Sequence, residues 1–254
     1  MNLAHRCMRQ LWFYLYRGPL KPNYFRLAGS SGHAAIEHYF RGKLEGSQDP
    51  PEEEVLDVFS AHFDQGLPEC EKDGSNPYRL KDKISLETLP LFLRQEGVLI
   101  KPKLVEEFFR IELHEMEVPI VGTIDLFEVG GRLTDFKFRP GSRLPSQREI
   151  DRDFQLATYT FALEARGEKV KETAQQNLVC NPDRAARVAV IRSDPQAERI
   201  PQTSILDEYS GIVRFVERAK GDPEYFPMTD PKNWWCSTKW CGWSSMCPRF
   251  GGKH

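Results

Sequence analysis

The segments Gly122-Thr-Ile-Asp-Leu126 and Thr134-Asp-Phe-Lys-Phe138, joined through Gly130-Gly131, decide the fold that we expect for this chain. A Gly-Gly pair between short apolar runs is typical of a tight hairpin. Alternation along the second strand then gives it two faces, one with Leu133, Asp135 and Lys137, the other with Thr134, Phe136 and Phe138. We expect the apolar face to pack while the charged face stays open.

Two carboxylates and an ammonium group of this hairpin can meet at one point. Hard divalent cations prefer carboxylate and carbonyl oxygens, so Asp125, Asp135 and the backbone carbonyl of Phe136 are candidate ligands for Mg²⁺ or Mn²⁺ beside a scissile phosphate. Lys137 would orient the attacking water or offset developing negative charge. An exposed strand edge with a cross-strand ion pair is the alternative. Glu107, further upstream, is left open between a role in the site and an exposed strand.

A helix is predicted from the capping-box pattern Ser146-Gln-Arg-Glu149 to about Gly167. Its predicted buried stripe consists of Ile150, Phe154, Ala157 and Phe161. Gln155 and Tyr159, four residues apart, then share a neighbouring face, where an amide and a phenol can bind a phosphate or a base edge. An ordinary half-buried Gln–Tyr pair is the alternative.

The segment Ala28-Gly-Ser-Ser-Gly-His33 is predicted to be a loop, with Ser30 or Ser31 as the N-cap of a following helix. His33 would then lie in the first turn and point toward the site as a further metal ligand. An imidazole nitrogen there favours Mn²⁺ over Mg²⁺. A hydrogen-bonded histidine at a helix start is the alternative.

Four cysteines, three of them close together near the C-terminus, indicate a metal or iron–sulfur site: Cys7, Cys236, Cys241 and Cys247. Residues 1–17 do not resemble a secretory signal, and an intracellular setting favours metal binding over disulfides. We interpret Cys70 and Cys180 as ordinary thiols.

The composition is that of one compact enzyme, with 254 residues and 40% apolar content. No apolar stretch approaches eighteen residues, so we expect a soluble, cytoplasmic protein. A formal charge of −2 argues against coating nucleic acid by bulk electrostatics, whereas a nuclease needs only a local basic groove. Candidates for phosphate contact, with solvated faces as the alternative, are Arg139, Arg143, Arg148 and Arg152.

The predicted elements begin with helices over residues 1–17 and 30–65, an exposed loop over 66–84 and a helix over 84–96. A meander of strands follows between about 105 and 139. After the Gln155 helix come strands near 175–180 and 186–192 and a helix near 206–220. This pattern predicts an α/β core with a mixed sheet flanked by helices.

The motifs, in the order in which they occur along the chain, resemble those of the RecB-like branch of the PD-(D/E)xK nucleases. Within this branch, they are most similar to the members that carry an iron–sulfur cluster. Examples are the CRISPR-associated RecB-like nuclease and the AddB-type helicase–nuclease subunit. The similarity covers nearly the whole chain. It consists of Cys7 with Arg9 and Phe13, Gly32-His33, Gly122-x-x-Asp125, Asp135-x-Lys137, Gln155-x-x-x-Tyr159 and the terminal cysteines.

The resemblance implies a restriction-endonuclease-like core in a single domain over residues 1–254, with 1–30 and 225–254 forming an iron–sulfur subdomain. It implies that His33, Asp125 and Asp135 bind the metal, that Lys137 assists the chemistry, and that Gln155 and Tyr159 shape the site. It also implies that Cys7, Cys236, Cys241 and Cys247 hold a 4Fe–4S cluster. The chain differs from this family at two places. Four residues separate Cys236 from Cys241, where relatives usually have two, and Met8 stands where the family usually has a proline after the first cysteine. Zn²⁺ is the alternative occupant.

The expected function is that of a metal-dependent DNA exonuclease acting on single-stranded DNA from the 5′ end, with a structural cluster. No Gly-x4-Gly-Lys-Ser/Thr helicase motif occurs, which favours a stand-alone nuclease. Such a protein resembles the nucleases of CRISPR adaptation modules and of bacterial viruses, and recombination or CRISPR adaptation proteins are its expected partners. Endonuclease activity and the oligomeric state are left open. A non-catalytic DNA-binding adaptor that holds a cluster or zinc is the alternative of a different class.

Overall fold

The computed structural model describes residues 7–46, 48–70, 76–112, 118–194, 200–233, 236–238 and 241–252. Contacts between Cα atoms divide the chain into two compact units. The larger unit is Pro22–Leu206, and the smaller unit combines Met1–Lys21 with Asp207–His254. In the described part of the chain, no helix is both long and apolar enough to cross a membrane.

A five-stranded sheet forms the centre of the larger unit, in the order β1-β2-β3-β4-β5. Its strands are β1 Pro102–Ile111, β2 Ile120–Glu128, β3 Arg132–Arg139, β4 Glu172–Val179 and β5 Arg187–Ser193. Strands β3 and β4 are parallel, and the other neighbouring pairs are antiparallel. The expectation of an α/β fold with a mixed sheet is therefore confirmed.

Helices precede, connect and follow these strands. They are α1 Met8–Arg17, α2 Tyr24–Glu45, α3 Glu52–Gly66, α4 Pro77–Lys83, α5 Leu89–Gln95, α6 Gln147–Asp151, α7 Phe154–Ala165 and α8 Gln202–Ala219. One π-helical turn, Ile84–Thr88, joins α4 to α5. The predicted helix over residues 1–17 thus begins at Met8, and residues 1–6 lie outside the described residues.

Two predicted loops are wrong because both segments contain helix. Helix α2 begins at Tyr24, where the side chain of Asn23 accepts the N–H of Arg26 at 2.9 Å, so His33 lies in the middle of the helix. The hydroxyls of Ser30 and Ser31 donate to the carbonyl of Leu27, which satisfies them within the helix. Residues 77–83 form α4, capped by Asn76 with a proline at its first position.

The helix predicted over 146–167 is two helices. The capping box of Ser146 and Glu149 is present, but α6 ends at Asp151 and Asp153 caps a new helix, α7. The predicted stripe is wrong for Phe154, Ala157 and Phe161, which are only partly buried. The buried residues of α7 are Leu156, Thr158, Tyr159, Thr160, Ala162 and Leu163. Buried threonines are tolerated because their hydroxyls donate to helix carbonyls of the preceding turn.

Phe136 anchors one face of the sheet to the helices that precede it. Its ring stacks on Phe40 of α2, with centroids 5.9 Å apart, and meets Phe92 of α5 edge-on at 5.6 Å. On the opposite face, Tyr159 of α7 meets Phe109 of β1 edge-on at 5.7 Å. Because helices cover both faces, the charged side of β3 does not stay open as predicted; Asp135 is only 1% exposed.

Candidate active site

The hairpin motifs lie where strands β2 and β3 separate. These strands pair only near their turn, at Leu126–Thr134 and Phe127–Leu133. Beyond these pairs, the N–H of Phe136 donates to Oδ2 of Asp125 at 2.8 Å. The bond ties the two strands together and holds the Asp125 carboxylate in the gap between them. The side chain of Phe136 belongs to the core, and its backbone carbonyl stays a predicted ligand.

Three side chains from three elements converge at this gap. Nδ1 of His33 lies 3.6 Å from Oδ2 of Asp125 and 3.7 Å from Oε1 of Glu106. One ligand atom from each of these residues lies within 4.8 Å of the other two. Carboxylate oxygens with one imidazole nitrogen suit a hard or borderline divalent cation. The residues that the structure brings together can therefore hold a metal ion.

Glu106 is the member of this group that sequence analysis missed. Its neighbours Val105 and Glu107 pair with Leu126 and Ile124, so Glu106 faces Asp125 across the sheet. Its φ of +46° is rare for a residue other than glycine, and such backbone strain is concentrated at functional sites. The sequence feature that could have pointed to Glu106 is the pair of consecutive glutamates, Glu106-Glu107. Glu107 instead accepts Nη1 of Arg166 at 2.8 Å, at the surface.

Asp135 lies beside this group with both oxygens engaged by the protein. Its Oδ1 accepts Nζ of Lys137 at 2.7 Å, and its Oδ2 lies 3.5 Å from the Nε2 donor of Gln175 on β4. Gln175 is directly opposite Asp135 in the parallel pairing of β3 with β4. The structure therefore places Asp135 next to the potential metal ligands, with its carboxylate directed at Lys137 and Gln175.

Gln155 and Tyr159 of α7 continue the polar chain from Lys137. Nζ of Lys137 donates to Oε1 of Gln155 at 3.2 Å, and Nε2 of Gln155 donates to the Tyr159 hydroxyl at 2.6 Å. Since the two α7 residues are four positions apart, they lie on one face as predicted. Their contacts fix the ammonium group of Lys137, whose side chain is still one-third exposed.

The electrostatics of the gap are those of acids packed together with little water. Burial, opposed mainly by Lys137, raises the pKa of Asp135 to about 7. Burial also raises the pKa of Asp125, against the opposing effects of His33 and of the Phe136 amide. Burial alone would lower the pKa of His33, but Glu106, Asp125 and Asp135 outweigh it and raise this pKa. A bound cation would relieve the cost of ionising these buried carboxyl groups.

A family model of the PD-(D/E)XK nuclease superfamily matches residues 1–248. The chain belongs to this superfamily of nucleases. Its members use divalent metal ions, which agrees with the acidic group around Asp125. The RecB-like branch, the iron–sulfur cluster and the individual site residues stay predictions.

Two solved structures resemble the nuclease at low sequence identity. One is a "Putative exonuclease" from Eubacterium rectale, with 13% identity, a TM-score of 0.49, and coverage of 91% of this chain and 80% of that one. The other, SSO0001, has 13% identity, a TM-score of 0.37, and coverage of 96% and 95%. Likeness at this level carries no functional argument. No curated protein matches the sequence significantly.

The arginines predicted to bind nucleic acid differ in their placement in the nuclease. Arg139 donates to Oδ1 of Asn177 and to Oε1 of Gln175, both at 2.7 Å. Burial lowers the pKa of Arg139, because its guanidinium is partly withdrawn from water. Arg143 donates to Glu149 at 2.9 Å. Arg148 and Arg152 are exposed on and just after α6.

The four cysteines predicted to bind a cluster line one cavity in the smaller unit: Cys7, Cys236, Cys241 and Cys247. All four are free thiols, and only Cys236 is more than slightly exposed. Nε2 of Gln10 donates to Sγ of Cys241 at 3.2 Å, and Nη1 of Arg249 donates to Sγ of Cys236 at 2.9 Å. The cavity thus collects thiols from segments near both ends of the given sequence.

The other two cysteines lie elsewhere. Cys70 and Cys180 are buried in the main core of the larger unit, away from the charged residues at the gap. Burial raises the pKa of both thiols, to about 12 for Cys180. Neither thiol lines the cysteine cavity, and their interpretation as ordinary thiols stays a prediction.

Proposed function

We propose that this nuclease is a metal-dependent DNA exonuclease that degrades single-stranded DNA from the 5′ end. The observation that carries the proposal is the convergence of His33, Glu106 and Asp125 beside the Asp135–Lys137 pair. The preference for DNA ends, for single strands and for 5′ polarity follows from the resemblance to stand-alone RecB-like nucleases. The same resemblance favours a role in CRISPR adaptation, recombination or a viral system.

The donor set fits a divalent cation, because it offers two carboxylates and one imidazole from rigid elements. His33 comes from α2, Glu106 from β1 and Asp125 from β2. A divalent ion bound there supplies a Lewis acid and lowers the pKa of its bound water. The imidazole favours Mn²⁺, although Mg²⁺ also suits the carboxylates. Asp135 lies next to this set, and we assign it to the same metal centre.

Lys137 is the group that we assign to the reacting phosphate. Asp135 and Gln155 hold its ammonium from two sides, and Tyr159 holds Gln155 in turn. A cation fixed in this way can stabilise developing charge on the phosphate without reorganising during the reaction. Because its side chain remains one-third exposed, Lys137 is accessible to a substrate in the gap.

Phosphate binding away from the reacting centre is assigned to the arginines that follow β3. Arg143, Arg148 and Arg152 are exposed, so a DNA backbone can reach them. Arg139 is held by Gln175, which also lies against Asp135, so this guanidinium adds positive charge beside the acidic centre.

We assign the cysteine cavity to a structural 4Fe–4S cluster. Four thiols that line one cavity, one from near the start of the chain and three from near its end, support this assignment, and Zn²⁺ is the alternative occupant. The cysteines of the proposed subdomain, residues 1–30 and 225–254, all fall in the smaller unit.

The test is cleavage of 5′-labelled and 3′-labelled single-stranded and double-stranded DNA by anaerobically purified protein. Wild type, Asp135→Ala and the control Asp57→Ala are each assayed with Mn²⁺, Mg²⁺ or chelator. Asp57 is the control because it is an exposed aspartate of α3. We expect metal-dependent loss of single strands from the 5′ end by wild type and Asp57→Ala, and none by Asp135→Ala. Binding without cleavage by folded wild-type protein would instead establish the DNA-binding adaptor.

The occupant of the cysteine cavity is tested separately. Absorbance at about 400 nm, with iron and sulfide in the protein, is expected for the cluster. A colourless anaerobic preparation that contains zinc would contradict it and leave the proposed cleavage chemistry unaffected.

A further inference from the structure

A cleft of about 290 Å³ opens on the larger unit at the carboxyl ends of the parallel strands β3 and β4. Pro140 follows β3, and Asn181 and Pro182 follow β4. The first turn of α2 contributes Tyr24 and Phe25 to the lining of the cleft. Its volume is close to the lower end of the range of about 300–1,000 Å³ that is typical of small-ligand pockets.

The cleft shares two elements with the active site. Phe25 and His33 both lie on α2, eight positions apart, or about 12 Å at about 1.5 Å per residue. Pro140 follows Lys137 by three positions, which corresponds to about 10 Å along an extended chain. A single strand with its scissile phosphate at Lys137 can therefore reach the cleft within a few nucleotides.

The walls of the cleft suit a flat aromatic ligand. The Phe25 side chain is 41% exposed even though Tyr24 beside it is buried. Two prolines add apolar surface, since Pro140 and Pro182 line the same space. An exposed aromatic ring beside apolar side chains offers a face on which the base of a single strand can stack.

The rim of the cleft also offers a positive charge. Arg79 donates to Asp183 at 2.7 Å, and both side chains are largely exposed. An exposed ion pair of this kind contributes only about 0–1 kcal/mol, so a phosphate group can compete for the guanidinium. Base stacking and phosphate binding are thus available side by side.

We propose that this cleft binds an unpaired nucleotide of the substrate strand, with its base stacked on Phe25. A paired and stacked base does not offer its face to a protein ring, so the cleft selects single strands. The proposal rests on the proposed nuclease function and deepens it, because it assigns the preference for single strands to a site outside the catalytic gap.

The experiment measures binding of fluorescein-labelled dT oligonucleotides and of a blunt duplex by full-length protein in Ca²⁺, by fluorescence anisotropy. Variants are Phe25→Ala, Phe25→Leu and Phe25→Trp, with circular dichroism to verify folding. Phe108→Ala is the matched control, because Phe108 is 58% exposed on β1 and does not line the cleft. Cleavage of the same oligonucleotides by each variant in Mn²⁺ is measured in parallel.

We expect Phe25→Ala to raise the Kd for single strands about five- to 150-fold, the range that corresponds to about 1–3 kcal/mol of stacking. Phe25→Leu should bind nearly as weakly, because it keeps apolar contact without an aromatic face, whereas Phe25→Trp should restore binding. Duplex binding and the Phe108→Ala variant should match wild type. In cleavage, Phe25→Ala should raise KM and leave kcat within about twofold, because it touches no reacting group.

Wild-type affinity in folded Phe25→Ala, or an equal loss in Phe108→Ala, would overturn the cleft proposal. If wild type still cleaves single-stranded DNA in that case, the proposed function stands without the cleft. A wild-type protein that neither binds nor cleaves DNA would overturn both.

Discussion

The gap between β2 and β3 in the larger unit, our candidate active site, and the cysteine cavity of the smaller unit hold their polar groups in different ways. In the gap, Asp125 accepts the Phe136 amide, and Asp135 and Gln155 both accept Lys137. Strands and a helix carry all of these residues. The protein therefore builds the gap from its own hydrogen bonds, so the geometry is preorganised before any ion binds.

The cysteine cavity depends more on turns. Cys236, Cys241 and Cys247 follow one another in a segment whose backbone bonds close short turns, such as Cys241 N–H to Ser237 at 2.9 Å. The regular elements that flank these cysteines are α1, which begins directly after Cys7, and a single 3₁₀ turn, Pro248–Phe250, which begins directly after Cys247. A site of this kind gains its rigidity from its ligand, so the proposed cluster would contribute directly to folding. We therefore expect that removing a side chain of the gap lowers the rate of cleavage, whereas removing a cysteine of the cavity lowers the free energy of unfolding.

The largest expected effect is on cleavage. Asp135→Ala and Lys137→Ala should each lower kcat at least about 10³-fold, or about 4 kcal/mol, because each removes charge from the reacting centre. Both variants should keep the cluster and the native circular dichroism spectrum. Single-turnover cleavage in Mn²⁺ checks this prediction, and retention of wild-type rates by both would remove the gap as the active site.

The next effect is the stability cost of the buried acid. With the pKa of Asp135 raised to about 7, the folded protein holds its proton between about pH 4 and 7, where the unfolded chain has released it. The free energy of unfolding in chelator should therefore fall as pH rises through this window, by on the order of 4 kcal/mol at most. Urea unfolding checks this. Asp135→Asn should lack this pH-dependent contribution. An equal slope of unfolding free energy against pH in wild type and in Asp135→Asn would contradict the prediction.

The cysteine cavity should respond in stability. Cys241→Ser should lose iron and absorbance at about 400 nm, and lower the free energy of unfolding by roughly 3–4 kcal/mol, the effect of losing a ligand at 100 to 1,000 times its Kd. Cys70→Ser is the control, because Cys70 is buried in the core of the larger unit. Iron analysis and thermal unfolding measure both variants. Equal iron content in Cys241→Ser and Cys70→Ser would contradict the assignment of Cys241 to the cluster.

The two consecutive glutamates of β1 provide a sharper test of the gap. Glu106→Gln should raise the half-saturating Mn²⁺ concentration about 10- to 100-fold, because Glu106 faces His33 and Asp125. Glu107→Gln should change it less than about twofold, because Glu107 pairs with Arg166 at the surface. Titration calorimetry with Mn²⁺ distinguishes them. Similar affinities in the two variants would exclude Glu106 from the metal set.

The smallest expected effects come from two glycines of α2. A Cβ at Gly32 would lie 2.1 Å from the Phe138 ring, whereas nothing lies within 4 Å of one at Gly29. Gly32→Ala should lower the free energy of unfolding by about 1 kcal/mol. This value is at the low end of the range for overpacking, because the half-buried Phe138 ring can tilt away from the added methyl group. Gly29→Ala should stabilise by about 0.5–1 kcal/mol. Denaturant unfolding measures the stability of both variants. Equal free energies of unfolding would show that the close contact between Gly32 and Phe138 of β3 does not constrain α2.

Much of the site was predictable because each motif is short and local. Asp135 and Lys137 share a strand face, and Gln155 and Tyr159 share a helix face, so their periodicity alone placed them together. Glu106 escaped prediction because the choice between two neighbouring glutamates depends on the register of β1 with β2. The position of His33 was also missed, since Gly and Ser weaken a helix signal that tertiary contacts with Phe138 override.

Local patterns were enough to predict the mixed α/β class, the hairpin with its Asp-x-Lys strand, the capping box at Ser146 and the family-like order of the motifs. These features depend on local periodicity and on residue types whose preferences act over a few positions. Three outcomes required the folded chain: Glu106 joins His33 and Asp125, Asp135 is buried, and Arg139 contacts β4. These outcomes join elements far apart in the chain, so register and packing set them, and neither can be read from a local pattern.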